Sequence, residues 1–251
     1  MHLEVDMGNT RLKWRLRNDL SILARGVEDT GAGFERMSSL LEAHKNNVKA
    51  IWVASVVGNE MEKKFCCWAK QIFSAEVLFA KSCAAAGGVV NGYDLPERLG
   101  IDRWLGLLAA HRLTKCPCIV ISCGTAITVD LLSGDGVHQG GYIAPGLRLM
   151  LDSINSRARL IDVDKESFSI NLLPGRSTTS AVFAGLSSMM SGLVENAFKQ
   201  LPEKNNENIE LILTGGDANT LLPLCPNARV IPDLVLDGLV CAEGYLFPVE
   251  Q

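Results

Sequence analysis

The chemically suggestive residues begin near the start of the chain, with Asp6-Met7-Gly8-Asn9-Thr10 followed by Lys13. A glycine at the tip of a turn lets the backbone approach a phosphate closely and point its N–H groups at it. Asn9 and Thr10 add side-chain donors, and Lys13 can reach a phosphate oxygen. Asp6 is placed to bind Mg2+, directly or through water, as phosphoryl transfer requires. Gly124-Thr125-Ala126 offers a matching element, with Thr125 as a phosphate donor and Thr128 nearby. Gly-Asn is also ordinary hairpin chemistry, so one such element alone decides nothing.

Two more elements carry reactive types. Gly100-Ile101-Asp102-Arg103 opens a helical stretch. Asp102 could accept the proton of an attacking hydroxyl, and Arg103 could clamp a carboxylate or phosphate. The plainer account is an acidic residue matched to a helix dipole, beside a solvated arginine. Thr214-Gly215-Gly216-Asp217-Ala218 lies between an apolar run and a helix. Its glycines would admit a flat ligand such as adenine, and helix N-termini suit phosphate. A turn needing positive φ explains it equally well.

These residues need elements to position them. Residues 2–7 alternate, turn at Gly8-Asn9, and return as a strand over 10–17. Periodicity predicts helices over 34–47, 60–73 and 102–113, and strands over 49–57 and 76–80. A loop through Gly87, Gly88, Gly92 and Tyr93 precedes the third helix. Further on, strands are expected over 118–123, 125–132 and 209–213, with a turn at Asp135-Gly136. Helices are expected over 147–160, over 180–199, and after Asp217 as far as Pro223; residues 235–247 are apolar and close the fold. Val5–Thr10 echoes Ile121–Ala126, at a separation near half the chain: an apolar strand, a polar residue, a spacer, then glycine. Two such hairpins predict a duplicated α/β architecture, with halves 1–115 and 116–251 and a cleft between them.

Bulk properties narrow the classes. The 251 residues are 47% apolar and 21% charged, with a formal net charge of -4. That balance, with no basic run, argues against a nucleic-acid partner. No apolar stretch is long enough to span a bilayer, and the N-terminus lacks a signal-peptide pattern, so a cytoplasmic protein without a membrane partner is expected. The eight cysteines form no C-x-x-C pair and the four histidines do not cluster with them. They read as free thiols in a reducing compartment. The Cys116-Pro117-Cys118 segment reads as a surface linker between halves.

Taken in order, these elements resemble the type III pantothenate kinases. The resemblance rests on Asp6–Lys13 (DMGNTRLK), Tyr93, Gly100–Arg103 (GIDR), Gly124-Thr125-Ala126, Gly140–Gly146 (GGYIAPG) and Thr214–Ala218 (TGGDA). It covers nearly the whole chain. It implies an α/β fold of duplicated ribonuclease-H-like (actin-like ATPase) halves with a nucleotide cleft between them. It also implies ATP-dependent phosphorylation of pantothenate, the first step of coenzyme A synthesis. On this resemblance ATP binds Asp6, Met7, Gly8, Asn9, Thr10, Arg11, Leu12, Lys13 and Thr125, with Asp6 also at the metal. Pantothenate is lined by Tyr93, Gly100, Ile101, Asp102, Arg103 and Thr178, the last from the Pro174-Gly175-x-x-Thr178 pattern. Asp102 is the implied proton acceptor. A homodimer, Mg2+ and a monovalent cation (potassium or ammonium) are implied too. The family's cation-associated aspartate is Ser122 here, so weaker cation activation is expected.

Two other readings stay open at this point. The same superfold hosts sugar and acetate kinases and phosphatases, against which Tyr93 and Gly100–Arg103 favour pantothenate. A nucleotide-binding regulatory or accessory protein without turnover is the reading from a different class.

Overall fold

A computed structural model describes residues 1–19, 21–158, 160–201, 208–242 and 244–248. The chain forms two compact units. One contains residues 1–112 and the chain from Asp233 on; the other runs from Leu113 to Pro232.

The first unit opens with β1 (His2–Met7), β2 (Arg11–Arg17) and β3 (Ile22–Asp29). α1 (Glu35–Leu41) follows and runs into a 3-10 turn over Glu42–Asn47. The helix expected over 34–47 therefore changes character midway, because nothing in its second part is buried to hold regular α-turns. β4 (Ala50–Ser55), α2 (Asn59–Ile72) and β5 (Glu76–Ala80) come next, then a small hairpin of β6 (Ala85–Ala86) and β7 (Val89–Val90). α3 (Ile101–Thr114) ends this stretch.

The second unit contains β8 (Cys118–Cys123), β9 (Ala126–Leu132), β10 (His138–Pro145), α4 (Leu147–Arg157) and α5 (Thr178–Gln200). β11 (Glu210–Thr214), α6 (Ala218–Leu221) and β12 (Arg229–Val230) complete it. α4 stops before the expected residue 160, as Ala158 turns extended while its N–H still bonds Ile154 O. α5 begins at a capping box, in which the side chains of Ser177 and Ser180 each accept the other's backbone N–H.

Sheet order carries the duplication. The first sheet runs β13-β5-β4-β1-β2-β3, where β13 (Leu246–Pro248) is the last strand among the described residues. The second runs β10-β9-β8-β11-β12. In both, the opening hairpin and its third strand are antiparallel, and two parallel strands follow on the other side of the first strand. The expected fold class is present: a ribonuclease-H-like α/β arrangement, built twice.

Burial explains the strands. On β1 and β2, Leu3, Val5, Met7, Leu12, Trp14 and Leu16 face a core shared with Ile51, Val53 and Phe65. Glu4 and Asp6 alternate with them, as a strand's period of two demands. Glu4 is wholly buried and bonds both Arg15 and Arg17. The second core gathers Ile119, Ile121, Val129 and Leu131 with Phe183, Leu186 and Met190 of α5.

The end of the chain departs from the expected halves. α7 (Leu234–Cys241) packs on β1 and β4, so it belongs to the first unit and not with residues 116–232. Leu234, Leu236 and Leu239 are buried there, each worth roughly 1.5–3 kcal/mol. Gly238 lies so close to the Leu105 backbone that a Cβ would overlap it. Arg15 Nη1 donates to Asp237 Oδ1 at 2.6 Å and ties the helix to the sheet.

Candidate active site

The first hairpin places Asp6 opposite Lys13, in a register running from His2↔Arg17 to Met7↔Leu12. Its turn closes through the Gly8 N–H, which donates to Arg11 O at 3.0 Å. A Cβ on Gly8 would stand 2.9 Å from that same oxygen, so the tight turn requires glycine. Asn9, Thr10 and Arg11 are exposed at the tip, and Leu12 is core. Thr30, just past β3, braces the loop from behind. Its Oγ1 donates to Gly8 O at 2.7 Å and its N–H to Thr10 O at 3.1 Å. The sequence pattern does not mark Thr30, because only the third strand brings it to the hairpin.

Asp6 is perturbed. Burial pushes its carboxyl up to about 7, Lys13 pulls it down, and the Asp102 carboxylate raises it further. Asp6 and Asp102 therefore share one electrostatic environment, although far apart in sequence. Asp102 sits in the first turn of α3, and its Oδ1 accepts the Arg103 N–H at 2.9 Å. That first-turn position is the one an acidic residue matched to the helix dipole takes. Gly100 precedes it; a Cβ there would lie 2.9 Å from Asp102 Oδ1. Ile101 is buried.

Arg103 is not solvated, as the plainer sequence account had it, but 7% exposed. Its Nη1 donates to Tyr93 Oη at 2.6 Å, and its guanidinium stands 5.5 Å from the centre of the Tyr93 ring. A loop tyrosine and a helical arginine therefore form one cationic, hydrogen-bonded surface in the same unit as Asp6 and Asp102.

The remaining residues belong to the second unit. Thr125 is exposed at the turn between β8 and β9, where the Gly124 N–H donates to Ala126 O at 3.1 Å. The Gly146 N–H donates to Thr125 O at 2.9 Å, and a Cβ on Gly146 would collide with the carbonyls of Gly124 and Thr125. The GGYIAPG run thus supports the second turn through β10 and its last glycine. Gly215, at φ +93°, packs on the Cys123 backbone, whose carbonyl accepts the Asp217 N–H at 3.0 Å. α6 is a single turn, so the expected helix-terminus site for phosphate has little dipole behind it. Ser122 pairs with Thr128 and Thr214 across the sheet. Thr178 is the exposed first residue of α5, with Gly175 pressed against the backbone of Ser180 and Ala181.

A divalent cation would find a limited protein donor set. Among the described residues, no three His, Cys, Asp or Glu side chains gather as a metal cage. A single carboxylate such as Asp6 is the kind of donor Mg2+ uses, since that ion commonly takes one or two carboxylates and draws its other oxygens from phosphates and water. No helix among the described residues is long and apolar enough to cross a membrane.

The Pan_kinase family model, described as type III pantothenate kinase, matches residues 2–200. A type III pantothenate kinase of Cellvibrio japonicus is 40% identical over 240 residues, covering 95% of each chain. One from Pseudomonas syringae is 36% identical over 248 residues, covering 96% of this chain and 98% of its own. Among solved structures, a Campylobacter jejuni protein provisionally assigned to the Baf family of transcriptional activators superposes with a TM-score of 0.59. It is 22% identical, with 95% of each chain covered. A Sinorhizobium meliloti protein provisionally assigned as a 2-dehydro-3-deoxygalactonokinase gives a TM-score of 0.57 at 15% identity, covering 96% of this chain and 98% of its own. At those identities the structures speak to the fold alone, which is that of the actin-like ATPases and sugar kinases. The family model spans most of the chain, and the curated relatives align over nearly their whole length. By that measure this chain belongs to the type III pantothenate kinase family.

Proposed function

We propose that this protein transfers the γ-phosphoryl group of ATP to the primary hydroxyl of pantothenate, giving 4′-phosphopantothenate and ADP, the first step of coenzyme A synthesis. Family membership supports the reaction. The observation that carries the roles given to Asp6 and Asp102 is that the two lie close enough for the Asp102 carboxylate to add to the upward push that burial gives the Asp6 carboxyl.

In this reading the hydroxyl oxygen attacks the γ-phosphorus, the bond to the β–γ bridging oxygen breaks, and ADP leaves. Asp102 accepts the hydroxyl proton. Asp6, the backbone of Met7–Thr10, Arg11 and Lys13 serve the ATP phosphates, and Thr125 also serves ATP; Leu12, expected among these residues, instead anchors the hairpin in the core. Mg2+ held by Asp6 and phosphate oxygens would neutralise charge developing on the nucleotide. Tyr93, Gly100, Ile101, Arg103 and Thr178 serve pantothenate. Arg103 is suited to the pantothenate carboxylate, because a guanidinium matches a carboxylate's planar geometry.

Potassium or ammonium activation is part of the reading, in weaker form than in relatives with a carboxylate, because Ser122 contributes a hydroxyl without charge. A cytoplasmic homodimer follows from the family resemblance. No observation favours a regulatory protein without turnover, and retention of Asp6, Asp102, Arg103 and Thr125 speaks against it.

The test is ADP release by purified protein with Mg-ATP and pantothenate, with and without K+, alongside Asp102→Asn. Pantothenate-dependent release that the substitution lowers by about 10²–10⁴ is the expected result. A folded protein that binds ATP but releases no ADP with pantothenate under any cation would overturn the reading.

A further inference from the structure

Asn91 stands directly after β7, two residues before Tyr93, and neither its type nor its spacing marks it in the sequence. It is 8% exposed, and its side-chain amide spends both donors and one acceptor on the backbone around it. Nδ2 donates to Cys83 O and to Pro96 O, each at 3.1 Å, and Oδ1 accepts the Tyr93 N–H at 3.1 Å. Its own N–H donates to Ala84 O at 2.9 Å. One planar amide thus joins Cys83, the 3-10 turn formed by Pro96–Arg98 and the backbone of Tyr93. Only an amide of this length brings two donors and an acceptor together. Aspartate would turn the donors into acceptors facing two carbonyls, and serine is too short to reach all three.

The chain of contacts continues outward. Tyr93, fixed at its N–H by Asn91, accepts from Arg103 Nη1 through its phenolic oxygen. Arg103 is buried and lies beside Asp102, whose carboxylate takes its N–H.

We propose that Asn91 is a positioning residue for the acceptor site: its amide fixes Tyr93, and through Tyr93 it sets the orientation of the Arg103 guanidinium that grips the substrate's carboxylate. The proposal rests on the assignment of Tyr93 and Arg103 to pantothenate made above. It extends that assignment to a residue that touches no substrate.

A purely structural role and a positioning role differ in what they move. A positioning role raises KM for pantothenate by about ten- to a hundred-fold in Asn91→Ala and Asn91→Ser, since small misplacements of a binding group are costly, and leaves KM for ATP within about twofold. Asn91→Asp should be worse than Asn91→Ser. Combining Asn91→Ser with Tyr93→Phe should cost little more than Tyr93→Phe alone, as expected for residues acting in series. Hydrogen exchange at the Tyr93 amide should quicken by about tenfold or more in Asn91→Ser. If Asn91→Ala does not fold, Asn91→Ser carries every comparison. Equal rises in both KM values, additive losses in the double variant, or unchanged exchange at Tyr93 would each overturn the proposal. Wild-type protein that turns over no pantothenate would instead sink the functional reading, while exchange at Tyr93 would still report whether Asn91 holds that residue.

Discussion

The carboxylates of Asp6 and Asp102 act on each other across the first unit, one at the end of β1 and the other in the first turn of α3. Burial is the main reason that Asp6 titrates near 7, and Lys13, its cross-strand partner, opposes the shift. The negative charge of Asp102 adds to the upward push. A group poised this way holds its proton below about pH 7 and gives it up when a cation binds.

Metal-nucleotide affinity should therefore depend on pH. Below about 7 a cation must displace a proton from Asp6, so affinity for Mg-ATP should weaken by up to about tenfold per pH unit on the acid side and level off above it. Calorimetric titrations at about pH 6 and about pH 8 would show this, together with proton release on binding at the lower pH. Affinity independent of pH across that range would contradict it.

The same group should leave a mark on stability. Its folded pKa, about 7, lies above the ordinary value of 3.8, so between the two the folded chain holds the proton more tightly than the unfolded one. Stability from this group is greatest below the unfolded value, falls as pH rises towards 7, and stays reduced above that. Asp6→Asn should then stabilise the protein near pH 8 by on the order of 1–2 kcal/mol, allowing for partial solvent access, and confer no advantage near pH 3. Thermal melts at both pH values measure the difference.

Asp102→Asn should do two things at once. Loss of a general base lowers turnover by about 10²–10⁴. Removal of a like charge should also lower the Asp6 pKa and move the pH midpoint of metal-nucleotide binding to more acid values. A variant with slow turnover and an unmoved midpoint would separate the two carboxylates.

Glycines in the second unit should divide by their surroundings. Gly146→Ala forces a methyl into the carbonyls of Gly124 and Thr125, so it should destabilise by about 1–3 kcal/mol and weaken ATP binding. Gly185, within α5, has open space where a Cβ would go, and Gly185→Ala should stabilise by about 0.5–1 kcal/mol. Denaturant melts of the two variants give opposite signs if this is right.

Ser122→Asp should strengthen potassium activation, by adding the charge that the wild-type hydroxyl lacks. Initial rates across a potassium titration in both proteins give the comparison; identical curves would remove position 122 from cation binding.

Much of the architecture was legible in the residues. Apolar alternation ending in Gly8-Asn9, and an apolar run ending in Gly124, mark two hairpins, and each opens a sheet with the same order over five strands, β13 adding a sixth to the first. The third strands were harder to see. β3 reads ILARGVED and buries no residue fully, and β10 contains two glycines and a register shift between His138 and Gly141. Neither shows the clean alternation of a half-buried strand. α7 has an unmistakable apolar sequence, but pattern could not say which sheet it covers; Gly238 against Leu105 and Asp237 with Arg15 decide that.

What the sequence determined by itself was local: which stretches alternate, where glycine permits a tight turn, and which side chains have phosphate or proton chemistry, along with the family to which those motifs belong. Such properties depend on neighbours a few residues apart, and periodicity records them. Tertiary structure alone decided that Asp6 and Asp102 share a field, that Arg103 is buried against Tyr93, and that Thr30 and Asn91 brace the two loops. Those relationships depend on distance in space and on removal from water. Neither is written in the spacing of residues along a chain until the sheet brings its strands together.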